Sequence, residues 1–303
     1  MQVFVVGSLN MDLVVKASKY PVLGETVTGS SFMSNPGGKG ANQAVACKRF
    51  LSDTYMVGSV GETFGDVLIE GLKKYGVKTD FIEKHQNVSS GVAMITVTED
   101  DNVIILDMGA NQLVDQRLID RALSLAKPND VVLLQNEISM SMVLYTLRKA
   151  KDLNLTTIYN PAPAKRFDHQ FFKFVDYLIL NQSETKFYSN IEPNNMIEAR
   201  KACEYLKNLG ALRVILTLGN KGSLYLGEDF IETKACSVDV IDTTAAGDTF
   251  IGGIVSSITK NKKIEFALEF ASAAAAISIT KEGAQQSIPS YEEVLNYMSK
   301  KSK

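Results

Sequence analysis

Asp248 is the residue of this sequence with the clearest potential for chemistry. It ends a polar turn, residues 242–248, that leads into an apolar segment, residues 250–255, for which a buried helix is predicted. The first turn of a helix carries backbone N–H groups without intrahelical partners and a partial positive charge. The residues just before the helix are small: Ala245, Ala246 and Gly247. They would let an anion approach those amides, and a carboxylate beside a phosphate suggests that Asp248 accepts a proton from an attacking group.

A second stretch with similar properties spans residues 35–43. Its three glycines and Lys39 precede a predicted helix that includes residues 44–47, which indicates close backbone approach to a polar ligand. It is not a Walker A loop, because Gly40 stands where a Ser or Thr hydroxyl should bind Mg²⁺. No G-x-G-x-x-G follows the first strand, which counts against a dinucleotide-binding domain. Each stretch alone also fits a plain structural turn or a capped core helix.

The composition bounds the function classes. The 303 residues suffice for one large domain or two average ones, and 45% hydrophobic and 22% charged residues are typical of globular proteins. Lys and Arg are dispersed, so we predict no nucleic-acid partner. The apolar runs are too short for a bilayer and the first residues do not resemble a signal peptide, so we predict no membrane partner and a cytoplasmic location.

The cysteines and histidines do not suggest a metal site. Cys47, Cys203 and Cys236 are far apart in the sequence, which favours free thiols of a reducing compartment. His85 and His169 have no partner at metal-ligand spacing. Zinc chemistry and nucleophilic catalysis with a Ser-His or Cys-His pair are therefore poorly supported.

Strands and helices alternate along most of the chain. Buried strands are predicted at residues 3–6, 55–60, 131–134, 156–159, 177–180 and 214–217, with helices between them. This alternation predicts a doubly wound, mostly parallel sheet with helices on both faces. Polar residues recur after the strands, where open α/β sheets bind ligands. They are Asn10, Glu137, Asn181, Glu184, Thr217 and Gly219.

Two regions depart from the alternation. Strands are predicted at residues 13–17 and 26–30, and a hairpin at residues 91–106 with its turn at Asp100, Asp101 and Asn102. They would form a small four-stranded sheet outside the main one. We expect one α/β domain over residues 1–303, with a discontinuous β lid at about 11–34 and 90–108. An apolar sheet standing apart must be covered by a ligand or by a second copy of the chain.

Together the two stretches resemble a known family. GGKGANQ (residues 37–43) and DTTAAGDTF (residues 242–250) are similar to the two signatures of the ribokinase-like, or PfkB-type, carbohydrate kinases. GSLNMD (residues 7–12) and KEGAQQSIPS (residues 281–290) resemble the members of that family that act on D-ribose. The resemblance extends over nearly the whole chain in the same order. It implies the α/β fold with a four-stranded β lid, and a homodimer that pairs through the lid.

The activity that the resemblance implies is ATP-dependent phosphorylation of D-ribose at its 5-hydroxyl. Asp248 would be the general base, and the amides of Ala245, Ala246 and Gly247 the anion hole. The acceptor would be held by Asn10, Asp12, Gly38, Lys39, Gly40, Ala41, Asn42 and Glu137. Carboxylates there disfavour a phosphorylated sugar, but 2-deoxyribose, a nucleoside or fructose stay open as acceptors. A non-catalytic sugar-binding protein on this fold is a further alternative.

The resemblance also implies a nucleotide site, Mg²⁺ and a K⁺ site. The residues expected at ATP are Asn181, Glu184, Thr217, Leu218, Gly219, Asn220, Lys221, Gly222, Gly247 and Ser272. Asn181 and Glu184 match a motif associated with Mg²⁺, which would be held mainly by phosphates and water. Ser272 departs from the His or Asn of some relatives, which leaves the nucleotide preference open. The residues expected around K⁺ are Asp242, Thr244, Ser278, Lys281, Gly283 and Ser287.

Overall fold

The structure is a computed structural model that describes residues 1–98 and 102–301. Within these residues the strands are β1 (Gln2–Val6), β2 (Asn10–Lys16), β3 (Ser31–Gly37), β4 (Asp53–Val60), β5 (Lys78–Lys84), β6 (Gly91–Val97), β7 (Asn102–Asp107), β8 (Val131–Leu134), β9 (Thr156–Tyr159), β10 (Tyr177–Leu180), β11 (Arg213–Thr217), β12 (Ser223–Leu226) and β13 (Phe230–Thr233). The helices are α1 (Lys39–Arg49), α2 (Gly65–Lys74), α3 (Gln116–Leu123), α4 (Met140–Asp152), α5 (Gln182–Ser189), α6 (Met196–Asn208), α7 (Ala246–Thr259), α8 (Ile264–Ser278) and α9 (Tyr291–Lys301). Every helix in the described part of the chain is too short or too polar to span a bilayer.

The main sheet has the order β13-β12-β11-β10-β9-β8-β1-β4-β5. Its neighbouring strands are parallel except for the β11–β12 and β12–β13 pairs, which form an antiparallel edge. This confirms the predicted doubly wound, mostly parallel sheet. The carboxyl ends of its central strands therefore meet at one edge, where the polar residues of the sequence analysis are brought together.

Helices cover both faces of the main sheet, as the apolar strands require. In β1, Val3 and Val5 contribute to the core on one face, and Phe4 and Val6 to the core on the other. All four side chains are fully buried. A strand buried on both faces shows a continuous apolar run instead of an alternation, which is why β1 was recognisable in the sequence.

The second sheet has the order β3-β2-β6-β7 and stands apart from the main sheet, which confirms the predicted small β sheet. In this sheet β2 pairs with β6 in parallel and with β3 in antiparallel fashion. Side chains alternate between the two faces of a strand. Asp12 and Val14 therefore share one face, while Leu13 and Val15 lie on the other.

The predicted strand at residues 26–30 is wrong, because the observed strand is β3. Lys16 pairs with Ser31 and Asn10 with Gly37, so β3 continues through Pro36. The Pro-Gly pair suggested a turn, but β3 is an edge strand, where the missing N–H of a proline is tolerated. The next helix, α1, begins at Lys39, earlier than predicted.

The predicted hairpin turn lies largely outside the described residues. Asp100 and Asp101 fall in the gap of the described ranges, and Asn102 is the first residue of β7. The pairing of β6 with β7 is antiparallel, as a hairpin requires.

Two glycines allow α7 to lie very close to its neighbours. A Cβ atom at Gly252 would come within 2.3 Å of the Ala46 side chain on α1. A Cβ atom at Gly253 would come within 2.8 Å of the Ala271 backbone on α8. This close packing holds α7, whose first turn carries Asp248, against α1 and α8.

Candidate active site

Two cavities meet at the carboxyl edge of the main sheet. The smaller one, about 80 Å³, contains Lys39, Glu184 and Asp248 in its lining. The larger one, about 570 Å³, lies on the side of α8 and of residues 235–240. Thr217 and Gly247 line both cavities. A group bound in the larger cavity can therefore reach the smaller one beside Gly247.

Asp248 lies in the first turn of α7 and is 6% exposed. Its Oδ2 accepts a hydrogen bond from Asn42 Nδ2 at 3.0 Å, and its Oδ1 accepts one from Gln43 Nε2 at 2.9 Å. Burial raises the pKa of the Asp248 carboxyl, while Lys39 and the two amide donors oppose that rise. An oriented carboxylate with a raised pKa is suited to accept a proton at neutral pH.

Lys39 supplies positive charge to this carboxylate cluster. Burial disfavours its ammonium form, but the charges of Asp248, Glu137, Glu184 and Asp12 together raise the Lys39 pKa above its ordinary value. Lys39 is therefore protonated at neutral pH. Its backbone N–H also donates to Glu137 Oε2 at 3.0 Å, which fixes the start of α1 against the end of β8.

Glu137 connects several of the predicted acceptor residues. Its Oε2 accepts hydrogen bonds from Ser8 Oγ at 2.6 Å and from Asn10 Nδ2 at 3.3 Å. Asn10 is held in turn by Asn111, whose Nδ2 donates to Asn10 Oδ1 at 2.7 Å. Asn111 was not recognised in the sequence, because it follows the small sheet and belongs to no motif.

Asp12 faces the same cluster from the small sheet and is 8% exposed. Burial, together with the charges of Glu137 and Asp248, raises its pKa to about 7, against the opposing effect of Lys39. The carboxyl sits beside Gly37, where any Cβ atom would come within 2.0 Å of Asp12 Oδ2. A buried carboxyl of this kind can bind a sugar hydroxyl as donor or acceptor.

The glycines of the second stretch allow backbone segments to approach each other. Gly38 has φ of 90°, and a Cβ atom there would come within 2.8 Å of the Asn10 backbone nitrogen. Gly40 N donates to Ser8 Oγ at 3.2 Å, and Ala41 N donates to Ser8 O at 2.9 Å. Gly40 and Ala41 thus hold α1 against the end of β1, which positions Lys39 and Asn42.

The predicted anion hole lies at the start of α7. Ala246 N donates to Thr243 O at 3.1 Å, whereas Gly247 N has no acceptor among residues 1–98 and 102–301. A Cβ atom at Gly247 would meet no atom within 4 Å, because the residue faces the open cleft. The amide of Gly247 is therefore available to an anion, and Ala245 is buried behind it.

Asn181 and Glu184 form a capping box at the start of α5. Asn181 N donates to Glu184 Oε2 at 2.9 Å, and Glu184 N donates to Asn181 Oδ1 at 2.9 Å. Both residues also line the smaller cavity. Burial raises the pKa of the Glu184 carboxyl, although the Asn181 donors and Lys39 oppose this effect. The motif therefore has a structural role in addition to its place at the cleft.

The larger cavity collects most of the predicted nucleotide residues: Thr217, Gly219, Asn220, Gly222, Gly247 and Ser272. Leu218 is buried, and Lys221 Nζ donates to Asn194 O at 2.9 Å, so these two side chains do not line it. Its apolar walls lie in an irregular segment, on α7 and along α8 to the residue that ends it, and no ligand role was predicted for them. They are Ala235, Cys236, Val238, Val240, Phe250, Ala275, Ala276 and Ile279.

The predicted cation residues are only partly connected by direct contacts. Asp242 Oδ1 accepts from Thr244 N at 2.9 Å, and Asp242 Oδ2 accepts from Gly283 N at 2.8 Å. Burial disfavours the Asp242 carboxylate, but the Thr244 hydroxyl and these two backbone donors lower its pKa below the usual range. Ser278 O accepts from Lys281 N at 3.2 Å.

Two of the predicted cation residues direct their side chains elsewhere. Lys281 Nζ pairs with Glu293 at 3.2 Å, so only its backbone could face a cation. Ser287 Oγ donates to Ala284 O at 2.8 Å within its own turn. Within the described ranges, no group of three or more His, Cys, Asp or Glu side chains is arranged to hold a metal ion.

Sequence reasoning gave no role to three buried amides beside Asp248: Gln43, Gln135 and Asn160. Gln43 is the last residue of the Gly-rich stretch at residues 35–43, and the other two follow β8 and β9 directly. The position of Gln135 and Asn160 directly after a strand could have indicated a role at the site. Their contacts with each other, however, depend on the tertiary arrangement of α1 against the sheet.

Comparison with known sequences identifies matches over nearly the full length of the chain. The pfkB family of carbohydrate kinases matches residues 1–291. A ribokinase from Lactococcus lactis is 37% identical over 296 residues, which cover 97% of this chain and 95% of that protein.

Two solved structures have the same fold. A ribokinase from Thermotoga maritima matches with a TM-score of 0.89 and 36% identity over 99% of both chains. Arabidopsis thaliana ribokinase complexed with ribose and ATP matches with a TM-score of 0.88 and 28% identity over 98% of both chains.

Proposed function

The chain belongs to the pfkB family of carbohydrate kinases, and from this membership we propose that it transfers the γ-phosphoryl group of ATP to the 5-hydroxyl of D-ribose. The observation that carries the proposal is the position of Gly247 at the junction of the two cavities. The larger cavity accommodates a nucleotide by size. Its phosphates would then point toward Asp248 and Lys39.

The proposed reaction requires little covalent chemistry from the protein. Asp248 accepts the proton of the 5-hydroxyl as that oxygen attacks the γ-phosphorus, and ADP leaves on the opposite side. The Gly247 amide and the Lys39 ammonium stabilise the charge on the transferring group. Asn42 and Gln43 hold the Asp248 carboxylate in one orientation, so that its approach to the hydroxyl is preorganised.

The charge of the acceptor site supports a neutral sugar. Asp12 and Glu137 face this site, Lys39 lies beside both, and Lys165 interacts with Glu137 while its Nζ donates to Asn136 O. A phosphate ester on the acceptor would be repelled by the two carboxyls. Asn42 Oδ1 is buried and has no hydrogen-bond partner within the described part of the chain, which fits an acceptor for a sugar hydroxyl.

A panel of neutral acceptors tests the choice of sugar. We expect kcat/KM for D-ribose to exceed the values for 2-deoxyribose, fructose and nucleosides by about tenfold or more, since unpaired buried polar groups penalise an acceptor that lacks a hydroxyl. The measurement is ADP release by the purified protein with each acceptor at saturating ATP. Equal or higher kcat/KM for one of the other acceptors would reject D-ribose as the substrate.

The site fits Mg²⁺ held mainly by phosphates and water. Glu184 and Asp248 line the smaller cavity, but the Glu184 oxygens already accept hydrogen bonds from Asn181. Mg²⁺ keeps several waters in such sites and is bound through few carboxylates. When bound with ATP, it would neutralise charge on the phosphates.

A K⁺ site at the loop beside α7 is also part of the proposal. The candidate ligands are hard oxygen donors: the Asp242 carboxylate, the hydroxyls of Thr244 and Ser278, and the backbone carbonyls of Lys281, Gly283 and Ser287. Oxygen ligands of this kind suit alkali cations better than transition metals. A cation here would order the loop that leads into the first turn of α7.

We expect replacement of tetramethylammonium by K⁺ at constant ionic strength to raise kcat by about fivefold or more, the lower end of typical coupling between two ligands. Phosphorylation rates in the two salts provide the measurement, with Asp242→Ala as the variant that should lose the response. A rate that does not depend on K⁺ would argue against this site.

The outer face of the small sheet has the properties of a lid that pairs with a second copy of the protein. Strand pairing places five apolar side chains on this face, and all are substantially exposed: Val15, Phe32, Met94, Val103 and Ile105. The opposite face carries Asp12 and turns toward the acceptor site. We propose that this lid excludes water during transfer and forms a homodimer. A cytoplasmic location is proposed because the reaction needs ATP and the three cysteines are free thiols.

A further inference from the structure

A series of hydrogen bonds between buried side-chain amides begins at a backbone carbonyl and ends at the Asp248 carboxylate. Asn160 Nδ2 donates to Ile179 O at 3.0 Å, so that Asn160 Oδ1 faces Gln43. Gln43 Nε2 donates to Asn160 Oδ1 at 3.3 Å and to Asp248 Oδ1 at 2.9 Å. Gln43 Oε1 accepts from Gln135 Nε2 at 2.6 Å. We call Asn160, Gln43 and Gln135 the amide relay.

The amide relay determines which end of the Gln43 side chain faces Asp248. An amide has an acceptor end and a donor end, and only the donor end stabilises an ionised carboxylate. If the Gln43 amide were flipped, its NH₂ group would face the NH₂ group of Gln135. Its oxygen would then face the oxygens of Asp248 and Asn160. Asp248 and Asn160 Oδ1 would then lose their donor, and Asn160 is anchored at Ile179 O, so these two residues favour the observed orientation. Gln135 adds a hydrogen bond to it, although Gln135 Oε1 itself has no partner within the described residues.

The burial of the amide relay makes this orientation effective. Gln43 and Gln135 are 0% exposed and Asn160 is 6% exposed, so bulk water does not compete for their hydrogen bonds. The three residues belong to α1 and to the segments after β8 and β9. The amide relay therefore links the sheet edge and α1 to the carboxylate on α7.

We propose that Gln43, held by Gln135 and Asn160, is a positioning residue that keeps the Asp248 carboxylate ionised and turned toward the acceptor hydroxyl. The inference rests on the proposed function, because the transfer of a proton to Asp248 belongs to it. Asn42 donates to the other carboxylate oxygen, and the two donors together fix the plane of the group.

The amide relay affects the pH dependence of kcat. The Gln43 donor lowers the Asp248 pKa against the effect of burial, so its removal raises that pKa. Asp248 acts only when ionised, and activity is lost as the pH falls through its pKa. Without the donor the loss therefore occurs at higher pH. The charged groups that face Asp248 are unchanged by this substitution; they are Lys39 on α1, Asp12 on β2, Glu137 after β8 and Glu184 on α5.

Gln43→Met keeps the length of the side chain and removes its donor. We expect kcat to fall by about tenfold or more, with both KM values within about twofold, because the interaction orients the base and not the substrates. The acidic limb of the kcat profile should move to higher pH. Thr54→Val is the control, since it removes a buried hydrogen bond on β4 away from the site and should leave kcat and the profile unchanged.

A double-mutant cycle tests whether Gln135 acts through Gln43. Gln135→Met alone should lower kcat by a smaller factor than Gln43→Met. In the Gln43→Met background it should cause no further loss of kcat, because the effects of residues that act through the same series of hydrogen bonds are not additive. Losses that multiply, or an unchanged kcat and pH profile in Gln43→Met, would overturn the proposal.

A second readout separates this inference from the proposed function. The Asp248 carboxyl can be titrated by ¹³C NMR, with the Asp248→Asn variant used to identify its signal. The midpoint should rise in Gln43→Met and stay in place in Thr54→Val, whether or not D-ribose is the substrate. An unchanged midpoint overturns the positioning role. Absence of sugar phosphorylation by the unsubstituted protein, with the midpoint shifted, overturns the function alone.

Discussion

Asp248→Asn is expected to lower kcat by about a thousandfold or more, within the ~10²–10⁴ that general-base catalysis contributes. The amide has the shape of the carboxylate but cannot accept the hydroxyl proton. It brings a new NH₂ group toward the donors of Asn42 and Gln43. Asn42 can accommodate it by a flip, because its Oδ1 lacks a partner within the described residues. Binding of ATP and D-ribose, measured by calorimetry, should persist.

The fold should survive this substitution. Burial raises the Asp248 pKa, which means that the folded state disfavours the charge that the substitution removes. The melting temperature of Asp248→Asn should therefore equal or exceed that of the unsubstituted protein. Asp130→Asn is the matched control, because Asp130 is a buried carboxylate that accepts from Gln2 N and Lys127 N at the other end of the sheet. A near-normal kcat in Asp248→Asn would reject the assignment of Asp248 as the general base.

Gly247→Ala is expected to lower kcat by about a hundredfold, comparable to the loss of one oxyanion-hole donor. The added methyl group would meet no protein atom within 4 Å, so it would occupy the space through which the phosphate approaches the Gly247 amide. Alanine favours a helix over glycine by about 1 kcal/mol or less, so stability should stay equal or rise. The measurements are steady-state rates and thermal melting.

Gly71→Ala provides the comparison for this glycine. Gly71 is also in a helix, and its new Cβ atom would lie at an ordinary 3.5 Å from Pro36, away from the cleft. The Gly71→Ala substitution should leave kcat unchanged. If Gly247→Ala retained full activity, the first turn of α7 would not be the anion hole.

The sequence predicted those parts of the fold that follow from local pattern. The apolar run of β1 indicated a strand buried on both faces, and the observed sheet confirms it. The strand placed at residues 26–30 was wrong, because pairing with β2 fixes β3 and pairing partners are distant in the sequence. Local propensity favoured a turn at Pro36, but an edge strand tolerates a proline.

The candidate site was predictable where residue type alone suggests chemistry. Asp248 and Lys39 were singled out because a carboxylate or an ammonium among glycines and alanines is unusual. Gln43, Gln135 and Asn160 were not singled out, because the role of a neutral amide depends on the hydrogen-bond partners that the fold places beside it. The apolar wall of the larger cavity was missed for the same reason, because α8 closes it from a distant part of the chain.

The most direct test of the proposed function is the identity of the product. The purified protein, incubated with ATP, Mg²⁺, K⁺ and D-ribose, should form a phosphate monoester whose ³¹P nucleus couples to the two hydrogens on C5 of the sugar. Formation should cease in Asp248→Asn. Phosphate on another carbon of ribose, or ADP formation without any sugar phosphate, would contradict the account.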